Sequence, residues 1–171
     1  MNSCSLGTYL VTMSGAISTS DDAADPGGGD PLPFRCSQNP ADANTVSRAR
    51  AAFGGWLQQH CPLTTTTAHD VLLAVNEALA NAVEHAYAGT SGNVDLTASY
   101  DVAHDTLTAT VEDYGHWRLP NATADPRFSR RGRGLVLMRA LAEDTAIEST
   151  EAGTRVRLTW HLLTRHQAPA R

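Results

Sequence analysis

The sequence contains no lysine, and all 13 of its basic residues are arginine. That absence excludes a P-loop, whose lysine reaches the β- and γ-phosphates of a nucleotide. Cysteine is scarce: Cys4, Cys36 and Cys61 stand at wide, irregular spacing. Three such cysteines make neither a disulfide framework nor a zinc motif, and reduced thiols in a cytoplasmic protein are expected. No stretch reaches the ~18 apolar residues of a membrane helix. The start, Met1 to Gly15, has no basic n-region and breaks its apolar residues with Ser, Thr and Gly, which argues against a signal peptide. A basic surplus is missing too, since the formal net charge is -5. A mildly acidic chain is poorly suited to neutralising phosphates, so no direct nucleic-acid binding is expected. The seven histidines lack metal-ligand spacing and read as surface or capping residues.

What is present suits one globular domain: 42% hydrophobic and 18% charged residues can build a core. Residues 1–30 are acidic and rich in Gly and Pro, and are expected as a disordered tail. The folded domain is expected over 31–163, with a polar tail at 164–171. Asp42 or Asn44 can cap a helix from Thr45 to His60, in which Val46, Ala49, Phe53, Trp56 and Leu57 recur at helical spacing. Phe53 and Trp56 are expected in the core or at a dimer interface. Thr66 or Thr67 can cap a second helix, Ala68 to Tyr87. Two alternating strands follow, Asn93–Tyr100 and Thr106–Glu112, joined as a hairpin. A long loop from Tyr114 to Arg131 reads as a lid. A helix from Gly134 to Ala142 and strands Thr145–Thr150 and Thr154–Leu162 close the domain. This order predicts an α+β fold, a two-layer sandwich with helices on one face of a mainly antiparallel mixed sheet.

Four elements carry chemistry. In the second helix, Val75, Leu79, Ala82 and Ala86 form one stripe, and Glu77, Asn81, Glu84 and His85 gather opposite. Glu77 and Asn81 lie one turn apart on one face, where a solvated polar surface is the plain alternative. A carboxylate there can act as general base, and a carboxamide oxygen suits Mg²⁺. Asp113 ends a strand two residues before Gly115. Such a carboxylate can accept from an exocyclic amine, and the glycine lets the backbone approach a ligand. Gly132-Arg133-Gly134-Leu135 opens a helix, where N–H groups and the dipole favour an anion. Arg131 and Arg133 add charge beside it. Gly153-Thr154 forms the last turn.

Taken together, these elements resemble the N, G1, G2 and G3 boxes of the GHKL (Bergerat-fold) ATPase and kinase superfamily. They read Asn76-Glu77-Ala78-Leu79-Ala80-Asn81-Ala82, Glu112-Asp113-Tyr114-Gly115, Gly132-Arg133-Gly134-Leu135-Val136-Leu137-Met138 and Gly153-Thr154. The resemblance covers residues 34–162. It is nearest to the anti-sigma-factor serine/threonine kinases of the RsbW/SpoIIAB type, in their actinobacterial subgroup, on the tracts Val71–Tyr87 and Tyr114–Pro120. The resemblance implies ATP and Mg²⁺ as cofactors. Glu77 would be the catalytic base and Asn81 the metal ligand. Asp113 would read adenine with Gly115 and Thr154 beside it. His85, Arg131, Gly132, Arg133, Gly134 and Leu135 would border the phosphates beneath an ATP lid. Arg48 would meet a protein partner. The implied partners are a sigma factor and a STAS-domain anti-anti-sigma protein, the latter as phosphorylation substrate, with a homodimer as assembly. The chain departs from the pattern at Trp117, where Asp-x-Gly-x-Gly carries its second glycine. A regulatory protein that uses nucleotide only as a conformational ligand is the alternative to a kinase; the presence of Glu77 favours the kinase.

Overall fold

The computed structural model describes residues 4–5, 30–87, 91–115 and 130–162, the side chains of 4, 5, 38, 39 and 130–132 excepted. Residues 116–129, most of the expected lid, lie outside the described residues, as do the C-terminal tail and most of the N-terminal one.

Strands β1 (Cys4–Ser5) and β2 (Phe34–Pro40) precede helices α1 (Ala43–His60) and α2 (Thr65–His85). The hairpin β3 (Asn93–Asp101) and β4 (Thr106–Asp113) follows, then α3 (Arg130–Leu141), β5 (Asp144–Thr150) and β6 (Gly153–His161). The sheet runs β1-β2-β3-β4-β6-β5. Every pairing among the described strands is antiparallel, so the sheet is not mixed.

Alternation in the strands sets the two faces. Val94, Leu96, Ala98 and Tyr100 of β3 are buried, as are Leu107, Ala109 and Val111 of β4 and Val156, Leu158 and Trp160 of β6. All turn toward the helices because side chains two apart share a face. The opposite face keeps polar groups. There Arg155 pairs across strands with Glu112 at 2.8 Å.

The helices begin at defined caps. Asp42 Oδ1 accepts from the Thr45 backbone N–H at 2.7 Å. That contact holds the Asp42 carboxyl below its ordinary pKa. The cap of α2 is Thr64, which accepts from Thr67 N at 3.1 Å, not Thr66 or Thr67. Thr67 is buried and turns its hydroxyl back to Thr64 at 2.9 Å, so its side chain serves inside the helix. Phe53 and Trp56 are core residues, stacked with ring centroids 6.0 Å apart. The Trp56 indole donates to the Leu32 carbonyl at 3.0 Å, satisfying its polar end. Gly54-Gly55 do not interrupt α1.

Three further expectations are corrected. The tail contributes a strand at Cys4–Ser5, paired with Cys36 and Arg35. β2 was not expected at all. Finally, the cysteines are not all reduced: Cys36 is disulfide-bonded, while Cys61 is a buried free thiol. Burial, and then the charge of Asp105, pushes the Cys61 thiol up to about 12.

Candidate functional site

The site gathers where the C-terminal end of β4 meets the α2–α3 seam. Asp113 continues the buried register of β4, so its carboxylate turns to the helix side although it is polar. Its Oδ1 accepts from Gly115 N at 3.1 Å and from Thr154 N at 3.3 Å. The carboxylate is thereby oriented by two backbone donors. Thr154 sits opposite Asp113 in the β4–β6 ladder and is also buried. Its hydroxyl lies 3.2 Å from the Ser149 hydroxyl.

Two glycines make this junction possible. Gly153 adopts φ +143, and a Cβ there would fall 2.0 Å from the Asp113 carbonyl oxygen. A Cβ on Gly115 would fall 2.1 Å from the Ala86 carbonyl oxygen at the end of α2. Both positions therefore need a residue without a side chain.

On α2, Val71, Ala74, Val75, Ala78, Leu79 and Ala82 bury one face. Glu77 and Asn81 instead turn toward α3. A Cβ built on Gly134 would lie 3.1 Å from Glu77 Oε2 and 3.3 Å from both ends of the Asn81 carboxamide. The missing side chain at Gly134 is what lets α3 approach these two groups. Asn81 is 8% exposed, and its Nδ2 has no hydrogen-bond partner among the described residues. Leaving a buried amide unpaired costs about 1–3 kcal/mol, which marks a place where a ligand can complete the bonding.

The glycines do not precede their helix. α3 starts at Arg130, so Gly132 and Gly134 lie inside it. Packing of α3 on α2 overrides the weak helix propensity of glycine. Leu135 packs on the core, and Arg133 is exposed. The Arg131 side chain lies outside the described residues, as does Trp117. His85 is one turn beyond Asn81, 3.9 Å from Glu84 Oε2. Arg48 is not brought to the site. It is exposed on α1, which packs toward β2, whereas α3 packs toward β5. Its guanidinium donates to the Thr45 hydroxyl at 3.3 Å. No three metal-ligating side chains cluster among the described residues.

Sequence reasoning missed two contributors. Ala86 supplies the surface against which Gly115 packs, and the Tyr87 hydroxyl receives the Tyr114 backbone N–H at 3.0 Å. A phenol just beyond a helix that carries the key carboxamide was the available signal.

Comparison with known proteins decides the family. The histidine kinase-like ATPase domain matches residues 39–160. The chain belongs to that family. It is 30% identical to the anti-sigma F factor of Bacillus subtilis over 123 residues, 68% of this chain and 84% of that protein. It is 30% identical to the anti-sigma F factor of Pasteuria penetrans over 141 residues, 78% of this chain and 87% of that one. Among solved structures, the RsbU and RsbW domains of Rv1364c from Mycobacterium tuberculosis superpose with TM-score 0.60 at 25% identity, over 82% of this chain. The chain spans 34% of that longer protein. A blue-light activated histidine kinase from Erythrobacter litoralis shares the fold, with TM-score 0.52 and 23% identity over 71% of this chain and 61% of that one. Among the described residues, no helix is long and apolar enough to cross a membrane.

Proposed function

We propose that this chain is an ATP-dependent protein serine/threonine kinase that acts as an anti-sigma factor. The observation that carries the reading is the convergence of Glu77 and Asn81 on Gly134, with the buried Asn81 amide short of a partner. Glu77 is the base that takes the proton from an incoming serine or threonine hydroxyl. Asn81 would hold Mg²⁺ through its carboxamide oxygen, and its buried Nδ2, which lacks an acceptor, would donate to a phosphate oxygen. Mg²⁺, when bound, neutralises charge between the phosphates. Asp113, held by Gly115 and Thr154, accepts from the adenine amino group.

The N-terminus of α3 receives the phosphates. The N–H groups of the first turn of a helix have no partner within it, and here they include those of Arg130, Arg131 and Gly132. Arg131 and Arg133 add positive charge, and His85 borders the same face of α2. Gly134 has the different task of close approach. The partners follow from the anti-sigma relatives and the family resemblance: a sigma factor that is sequestered and a STAS-domain anti-anti-sigma protein that is phosphorylated. Arg48, exposed on α1, contacts a partner. The resemblance to the anti-sigma-factor kinases supports a homodimer in the cytoplasm.

The test is transfer of labelled γ-phosphate to a STAS-domain protein. Glu77→Gln is expected to slow transfer by about 10²–10⁴-fold while ATP still binds. Saturable ATP binding with no transfer by the unaltered protein would replace the kinase with a regulatory binding protein.

A further inference from the structure

Tyr87 lies two residues beyond the last residue of α2, and its hydroxyl uses its full bonding capacity. It donates to the Asn93 carbonyl, and it accepts from Asn93 N at 3.1 Å and Tyr114 N at 3.0 Å. One donor and two acceptor positions are all that a phenol hydroxyl has. The ring is seated by Gly92, where a Cβ would fall 1.8 Å from Tyr87 Cε1. This oxygen therefore ties three pieces of chain together: the end of α2, the start of β3, and the residue between Asp113 and Gly115.

The same short segment is held from two further sides. Gly115 packs on the Ala86 carbonyl, and Asp113 Oδ1 accepts from Gly115 N. The Tyr114 phenol reaches outward to Asp95 Oδ2 at 2.8 Å. That contact, with some burial, pushes the Tyr114 phenol up to about 12. Tyr114 itself is 53% exposed, so its side chain contributes little confinement. The anchor from α2 is Tyr87.

We propose that Tyr87 is a positioning residue for purine recognition: it fixes the Asp113–Gly115 turn against α2 so that the Asp113 carboxylate meets a 6-amino group. The proposal rests on the reading of Asp113 as the adenine acceptor. A change of a few tenths of an ångström at Tyr114 N turns the Asp113 carboxylate, because Gly115 N is one of its two backbone donors. Loss of the tether then weakens the bond to an amino group and leaves binding of the phosphates at α3 intact.

The experiment compares ATP with inosine triphosphate, which has a 6-oxo group in place of the amine. Affinities are measured by calorimetry for the unaltered chain, Tyr87→Phe, Asp113→Ala and the double variant. Phe retains the ring on Gly92 and removes only the hydroxyl. Tyr87→Phe is expected to lose about tenfold in ATP affinity, one charge-assisted hydrogen bond, and less than twofold for inosine triphosphate. In the Asp113→Ala background it is expected to change neither. Equal weakening of both nucleotides, or the same loss without Asp113, would overturn the proposal in favour of a general structural role. Backbone amide exchange provides a readout that needs no nucleotide. The Tyr114 and Gly115 amides are expected to exchange faster in Tyr87→Phe, and unchanged exchange there would also overturn it. Failure of the unaltered chain to distinguish the two nucleotides, with the exchange result as expected, would instead remove Asp113 as the adenine reader and with it the recognition role of Tyr87.

Discussion

Two aspartates bracket β4, and their surroundings differ. Asp105 lies in the β3–β4 turn at one end, and Asp113 closes the strand at the other. Both are buried, at 8% and 2% exposure. At the Asp105 end the polar groups answer one another. The Tyr100 hydroxyl donates to Asp105 Oδ1, and the Asp105 carbonyl accepts from Leu162 N at 2.9 Å. Cys61 adds a thiol kept protonated by burial. At the Asp113 end the carboxylate is oriented by backbone donors, glycines replace side chains, and the nearby Asn81 amide is left short of a bond. One end is built to close the domain. On the proposed function, the other is completed by a nucleotide. A buried acidic residue thus says little alone, and the bonding of its neighbours distinguishes stability from recognition.

The largest expected effect lies at the closed end. Tyr100→Phe leaves Asp105 without its hydroxyl donor and is expected to lower unfolding free energy by about 1–3 kcal/mol. Urea denaturation measures this, and ATP affinity should stay within twofold. A loss of nucleotide binding without a loss of stability would break the contrast. Asn81→Ala is expected to behave in the opposite way. It removes an Nδ2 group that has no acceptor among the described residues, so stability should not fall by more than about 1 kcal/mol, while Mg²⁺–ATP affinity falls about tenfold. An Asn81→Ala chain that unfolds readily would mean that the amide supports the fold.

The smallest effect sharpens the closed end. Cys61 stays a thiol up to about pH 12, raised from 9.0. The folded state therefore binds more protons than the unfolded state between these values. The contribution to stability is fully present below pH 9 and is lost as pH rises toward 12. Alkylation by iodoacetamide at pH 8.5 should accordingly be slow in the folded chain and fast in urea. Equal rates in both would place Cys61 in an accessible setting.

Much of the candidate site was legible because it is local. Glu77 and Asn81 fall on one helical face by spacing alone, and Asp113 follows the alternation of β4. The four boxes also stood in an order that resembled one superfamily, and the family match bears that out. Other features were not legible. β2 begins with buried Phe34 and Cys36, but Pro40 and the register shift between Cys36 and Asn39 obscure its pattern. Its pairing with β3 comes from the sheet edge, not from propensity. Four consecutive threonines could each cap α2, and Thr64 serves because Thr67 is drawn into the packed interior. The disulfide at Cys36 was missed because wide spacing along the chain carries no information about proximity across strands.

By itself, the sequence determined the three helices and the four strands from β3 to β6, though not β1 or β2, together with which of their faces are apolar and which residue types could hold a nucleotide. Those properties depend on periods of 3.6 and 2 and on side-chain chemistry, both of which are written within a few residues. Only the tertiary structure decided that Gly134 faces Asn81, that Gly115 rests on Ala86, and that one phenol oxygen ties α2 to both β3 and the end of β4. Such contacts join elements distant along the chain. They exist because the packed layers leave room there for a backbone and for no side chain.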